Sequence, residues 1–408
     1  MEASIGLLGL VVLVVLLIAW LLPSVGSKVE KKQSPLAYVE GLNFLLDDKP
    51  DRAVEAFMTS LDVNPDTLET HLALGKLMRR QGHVDRAIRI HQNVLARPSL
   101  AAADQHLVHL ELAKDFMTAG LLDRAEMLLQ EVIEESADLR SMAQRYLLEL
   151  YQDESEWQQA IDIAKSLLQS KYVRSQPEEK KYITRLVSHF YCELASQSQR
   201  VGDIDSAHSY LNHAISTDKL GVRVAVLNAA RLNAEGNFKQ AIKSLGKISV
   251  KNPAWFSACL PTLLESHEGL FSGEGVEKLW QYLKEKSPSD LNAREVMFVV
   301  KEFVARGEDQ PEKLLVAEKI LQEYLSKNQN LELSNILLGL QLRTTVFEPV
   351  INDSSASLTR LHEELGKHIG SQKLYRCEQC GFSGRQLYWR CPSCKRWDSC
   401  LRIEEVSA

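Results

Sequence analysis

A three-residue phrase recurs along the middle of this 408-residue chain and limits what the chain can fold into. Asp-Arg-Ala stands at 51–53, 85–87 and 123–125, and Asp205-Ser206-Ala207 is a fourth version. Gln159-Ala160-Ile161 and Gln240-Ala241-Ile242 fill the same slot. The alanines at 53, 87, 125, 160, 207 and 241 follow one another at intervals of 34, 38, 35, 47 and 34 residues. Twelve residues before each alanine comes a small residue, Gly41, Gly75, Ala113, Ala195 or Ala229, with Leu148 the exception. Three residues further on comes a bulky one, Phe44, Met78, Phe116, Tyr151 or Leu232, with Ser198 the exception. A plain helical bundle also repeats apolar residues every three and four, but it gives no reason for small residues in this register.

A 34-residue period with a small residue in the first helix is that of the tetratricopeptide repeat, a pair of antiparallel helices. Pro65 and Pro253, twelve residues after Ala53 and Ala241, close two repeats. The Asp at the head of each second helix is expected to accept free amide hydrogens and to suit the positive end of the dipole. The 47-residue interval implies an insertion at Ser175–Lys181, lengthening a loop or a helix. After residue 253 the pattern degrades, although Leu263–Lys286 and Glu295–Asn328 still read as helical. Such repeats stack into a curved solenoid with a concave partner-binding surface.

Ile5–Leu22 is a run of 18 residues without a charged or strongly polar side chain. As a helix it would reach ~27 Å, enough to cross a bilayer core. Trp20 suits the interface and Pro23 stops the helix. A cleaved signal peptide ending near Ser24-Val25-Gly26 is disfavoured, because Glu2 and no Lys or Arg precede the run. Lys28, Lys31 and Lys32 follow it, so the positive-inside rule places the rest of the chain in the cytoplasm.

Five of the seven cysteines fall within residues 377–400. Cys377-x-x-Cys380 and Cys391-x-x-Cys394 are two knuckles that supply four thiolates to a tetrahedral ion. Soft thiolates select zinc or iron, and four protein ligands leave no open position, so the site is structural. Cys400 reads as a spare thiol, free or loosely packed; Cys192 and Cys259 read as small core residues. His189, three residues before Cys192, reads as structural. Around the knuckles lie Lys373, Arg376, Arg385, Arg390, Lys395, Arg396 and Arg402, interleaved with Tyr375, Phe382, Tyr388, Trp389 and Trp397. Such a face can dock an acidic protein, an anionic membrane or RNA, or can be this small domain's own core with solvated charges. Protein docking is favoured, since the anchor keeps the domain at the membrane. The array is expected to melt independently of the knuckle, because its stability resides in neighbour stacking.

The formal charge of −6 argues against a nucleic-acid-coating chain. There is no phosphate-binding loop and no nucleophile elbow. His362-Glu363 lacks a second histidine at position 366, which is Gly, so no zinc-hydrolase motif forms. No enzyme is indicated. Ser357–Ile369 reads as an amphipathic helix, with Leu358, Leu361, Leu365 and Ile369 on one side, placed to pack the knuckle on the array. The expected architecture is all-α: an anchor at 1–23, a linker at 24–35, a tetratricopeptide-repeat solenoid at 36–340, a linker and amphipathic helix at 341–372, and a metal domain at 373–402.

The order of anchor, array and four-Cys knuckle resembles the lipopolysaccharide assembly protein B family. The resemblance is carried by YVEGLNFLLDDKPDRAVEAF at 38–57, LGKLMRRQGHVDRAIRIHQ at 74–92, HFYCELA at 189–195 and the knuckle from Tyr375 to Cys394. It implies a rubredoxin-like site on Cys377, Cys380, Cys391 and Cys394 holding one iron ion, with zinc the alternative. It also implies a single-pass adaptor of the bacterial inner membrane, facing the cytoplasm, that restrains lipopolysaccharide synthesis. Its implied partners are the membrane protease FtsH and the deacetylase LpxC, with other envelope-assembly proteins; no nucleic acid is implied, and self-association is left open. A general scaffold for envelope-assembly enzymes is the alternative reading, and an RNA-binding ribbon the weaker one.

Overall fold

The computed structural model describes residues 65–403 except 99, 287–290, 308–310 and 346–352, together with scattered positions between 41 and 56. The expected span at 5–22 and the linker at 24–35 lie outside the described residues. Among the described residues no helix is long and apolar enough to cross a membrane. The chain divides into two units between Tyr146 and Leu147.

The first unit holds α1 (Pro65–Arg80), α2 (Val84–Leu95), α3 (Ala102–Ala119) and α4 (Leu122–Glu135), with α5 (Arg140–Glu154) running across the division. Each helix packs on its neighbour in sequence from α1 to α4. The small residues stand at the crossings as the period requires. A Cβ on Gly75 would lie 2.3 Å from His91 Nε2, so α2 can approach α1 this closely only over a glycine. His91 Nδ1 lies 2.5 Å from Asp115 Oδ2 on α3, and Asp115 Oδ1 accepts from Arg79 of α1 at 2.5 Å. Burial opposes charge on Arg79, but its bonds to Glu111 and Asp115 outweigh that and keep the guanidinium protonated. Ala53, Ala87 and Ala125 are fully buried, and Met78 and Phe116 fill the space between helices.

The described aspartates of the recurring phrase do not cap. Asp85, Asp123 and Asp205 lie within the first turn, while the cap positions are His83, Leu121 and Asp203. Only the dipole part of the expectation stands for them. In the second unit it is Asp203 whose carboxylate accepts from the Ser206 N–H at 3.1 Å.

That unit continues with α6 (Trp157–Gln169), α7 (Lys171–Arg174), α8 (Pro177–Val201), α9 (Ile204–Thr217), α10 (Val222–Ala234) and α11 (Phe238–Lys251). The insertion becomes the short α7 and a longer α8, which has 25 residues against 13 in α6 and 14 in α9. A 3-10 turn, Pro253–Cys259, leads into α12 (Leu260–Leu270), α13 (Gly275–Lys286), α14 (Ala293–Arg306), α15 (Pro311–Leu325), α16 (Leu331–Thr345) and α17 (Asp353–Ser371). The stretch Leu263–Lys286 is thus two helices, parted at Gly273, whose φ of +86° suits the residue without a Cβ. Glu295–Asn328 is likewise two helices, and one continuous core runs from Ala225 to Leu340. Cys192 and Cys259 are core residues whose thiols burial pushes up to about 12.

The amphipathic helix packs differently from the expectation. α17 lies on α16, where His362 Nδ1 meets Asn335 Oδ1 at 2.9 Å, and Leu358 and Leu361 remain exposed. A three-stranded antiparallel sheet follows, β1 (Tyr375–Cys377), β2 (Ser383–Gly384) and β3 (Cys400–Arg402), in the order β2-β1-β3.

Candidate metal centre

Two turns of the same construction carry the four thiols. The Gly381 N–H donates to the Cys377 carbonyl at 2.9 Å, and the Lys395 N–H donates to the Cys391 carbonyl at 2.9 Å. The residue after each second cysteine adopts positive φ, 75° at Gly381 and 60° at Lys395. Glycine does this freely, whereas a lysine does so under strain that the fold imposes. Each first cysteine then bonds back across its turn, Cys377 N–H to the Phe382 carbonyl at 2.7 Å and Cys391 N–H to that of Arg396 at 2.9 Å.

These turns bring the Sγ atoms of Cys377, Cys380, Cys391 and Cys394 within 4.8 Å of one another. Cys377 and Cys394 are 3.6 Å apart, and Cys380 and Cys391 3.7 Å. Both separations are too long for disulfides. They match the edge of a sulfur tetrahedron around a metal, about 3.8 Å for metal–sulfur bonds of about 2.3 Å. Burial works against the Cys377 thiolate, but the Ser399 hydroxyl and the Cys380 and Gln379 amides outweigh it and bring the thiol down to about 6. Such amide-supported thiolates suit a soft cation, and Cys377, Cys380, Cys391 and Cys394 would hold it. Phe382 and Tyr388, in edge-on contact at 5.7 Å, pack beside the thiols as the domain's small core.

Trp389 and Trp397, with Arg390, Lys395 and Arg396, turn toward the repeats of the same unit. Trp397 is buried with its ring stacked on His189 at 4.7 Å and edge-on to Trp157 and Phe190 at 6.2 Å. Its indole N–H donates to Gln152 Oε1 at 3.0 Å. His189 Nε2 lies 2.8 Å from Asp398 Oδ2. Arg390 donates to the Gln152 carbonyl at 2.8 Å and to Asp153 Oδ1 at 2.7 Å, and Lys395 pairs with the other Asp153 oxygen. Arg396 lies over the Tyr182 ring at 5.0 Å, and Trp389 stacks on Trp255 at 5.5 Å with the planes 8° apart. The knuckle therefore docks on α5, α6, α8 and the 3-10 turn.

A family model described as a rubredoxin metal binding domain matches residues 375–400. Lipopolysaccharide assembly protein B of Escherichia coli strain K12 is 33% identical over 363 residues, 89% of this chain and 88% of that protein. The protein of the same name from Haemophilus influenzae is 30% identical over 370 residues, again 89% and 88% of the two chains. The chain belongs to the lipopolysaccharide assembly protein B family. A solved C-terminal part of a TPR repeat-containing protein from Cytophaga hutchinsonii covers 70% of this chain and 98% of its own at 10% identity, with a TM-score of 0.37. That superposition is too loose to argue from, and the helix pairing rests on this chain's own packing.

In this family member the four-Cys site is a metal-binding site of the rubredoxin-like kind. The fifth cysteine is not loosely packed: Cys400 pairs with Cys377 across β1 and β3, and burial pushes its thiol up to about 12. Sequence reasoning named His189 only as structural and passed over Gln152, Asp153, Trp157, Tyr182 and Trp255. Two signals pointed toward them. The 47-residue interval lengthens α8 where Tyr182 and His189 face the knuckle, and Trp157 stands one residue before Gln158, which fills the aspartate's slot two residues ahead of Ala160.

Proposed function

We propose that this protein is a membrane-tethered adaptor in lipopolysaccharide assembly, restraining synthesis by presenting the deacetylase LpxC to the protease FtsH. The relationship to proteins named for lipopolysaccharide assembly, sustained over 89% of the chain, carries the reading. Residues 5–22 cross the bacterial inner membrane once, and the repeats and knuckle lie on the cytoplasmic side, where thiols stay reduced. The knuckle's metal is one iron ion, with zinc the alternative from the same donor set. When bound, that ion supplies cross-linking of four thiolates. The chain's own part is recognition by stacked repeats whose neighbours hold one another in register.

Arg390, Lys395 and Arg396 face Asp153 and Tyr182 in the same chain, which removes the main support for an RNA-binding ribbon. The test is the half-life of LpxC after depletion of this protein. Lengthening severalfold with rising lipopolysaccharide output is expected. An unchanged half-life would favour the general scaffold for envelope-assembly enzymes.

A further inference from the structure

One hydroxyl touches both knuckle turns. Ser399 is buried just ahead of β3, where its carbonyl accepts the Glu378 N–H at 2.8 Å. Its hydroxyl donates to the Arg396 carbonyl at 3.0 Å and accepts from the Cys377 thiol at 3.3 Å. The two residues before it are held on α8 by His189, Trp397 through ring stacking at 4.7 Å and Asp398 through a carboxylate oxygen 2.8 Å from Nε2. Strand pairing on one side and docking on the other therefore fix where the Ser399 oxygen sits.

We propose that Ser399 is a positioning residue for the metal: with Cys377 as a ligand, its hydroxyl turns from the Arg396 carbonyl and donates to the Cys377 sulfur. A ligating cysteine is a thiolate and has no proton to donate. In its present orientation the hydroxyl would then set oxygen lone pairs against an anionic sulfur 3.3 Å away. A serine hydroxyl carries one proton and rotates to suit its partners. Its departure leaves no buried acceptor unpaired, because the Arg396 carbonyl also accepts the Cys391 N–H at 2.9 Å. A hydrogen bond to a charged acceptor replaces one to a neutral acceptor, and the charged kind is roughly twice as strong. Donors to ligand sulfurs draw charge from them and favour the more negatively charged state of the centre. For iron that is the ferrous state, so the hydroxyl raises the reduction potential; for zinc, which has no redox step, it adds to affinity. The inference rests on the four-thiolate centre and needs neither the adaptor reading nor a particular ion in the cell.

The test compares the full chain in detergent with its Ser399→Ala and Ser399→Thr variants, loaded separately with iron, zinc and cobalt. Ser399→Ala should lower the iron midpoint by about a tenfold change in the ferric-to-ferrous ratio, about 59 mV for one electron. It should also weaken zinc about tenfold against a competing chelator. In the cobalt form its sulfur-to-metal charge-transfer band should move to lower energy, because a sulfur without the donor gives up charge more readily. Ser399→Thr keeps the hydroxyl and should stay close to the parent in all three. Zinc weakened with the iron midpoint and the cobalt band unmoved would make Ser399 a brace of the turn only, since a loosened turn costs both oxidation states alike, and this overturns the proposal. An alanine variant equal to the parent overturns it too. So does a threonine variant that melts like the parent yet reads like alanine.

Discussion

At the scale of single residues, Trp397 joins the metal domain to the repeats. Its indole is enclosed by His189, Trp157 and Phe190, with the Arg223 guanidinium 5.7 Å from the ring. Removing a buried aromatic side chain of this size costs about 3–5 kcal/mol. Trp397→Ala should therefore lower the urea midpoint of the second unit while leaving metal content intact, because no thiol contacts depend on the indole N–H. Trp397→Phe keeps the stacking but leaves Gln152 Oε1 without its donor, at a cost of about 1–3 kcal/mol. A second residue makes stability depend on pH. His267 is buried beside Phe271 and Tyr282, both ring nitrogens lack a hydrogen-bond partner among the described residues, and burial lowers its pKa. The folded chain keeps it neutral, while the unfolded chain takes up a proton near pH 6.5. Its contribution is thus fully present above about pH 6.5 and is lost as pH falls below that value. Thermal melts of His267→Phe should decline less between pH 7 and pH 5 than those of the parent chain.

At the scale of elements, the repeats and the knuckles were legible and the surface between them was not. Small residues at a fixed register report a helix crossing directly, which is why the sequence alone places Gly75 against its partner helix. The Cys-x-x-Cys pairs report a turn just as directly. Docking leaves no period: Gln152, Asp153, Tyr182 and Trp255 come from separate elements, and each alone looks like an ordinary helix-surface or core residue. The same blindness produced the expectation that the array melts independently of the metal. A domain whose core is Phe382, Tyr388 and four thiols cannot stay folded without its ion, so metal loss also withdraws Trp397, Arg390 and Lys395 from the repeats. Chelation, or Cys391→Ser with Cys394→Ser, should speed amide exchange in α8 and in the Gln152 end of α5. Helices α1 to α4, in the other unit, should exchange as before. Hydrogen-exchange mass spectrometry reads both, and unchanged protection in α8 would mean that docking adds nothing to array stability.

At the scale of the whole molecule, an adaptor needs position as much as a recognition surface. The chain carries a formal charge of −6, so electrostatic attraction to an anionic membrane is a poor means of holding it there. On the proposed reading a hydrophobic span at residues 5–22 would do this without regard to charge, and the short stretch that follows it would keep the array within reach of a membrane enzyme. In that geometry the second encounter becomes intramolecular, with effective concentrations on the order of millimolar for short linkers. If residues 5–22 act only as this tether, deleting them should lengthen the half-life of LpxC even though the repeats and knuckle still fold and still load metal. Replacing them with an unrelated single span of the same orientation should restore the parent half-life. Measuring LpxC decay after blocking translation, in cells matched for the amount of each variant, separates the two roles. Restoration by the foreign span confines the segment to tethering, and failure of that span at equal abundance would assign 5–22 a direct contact with the protease or its substrate.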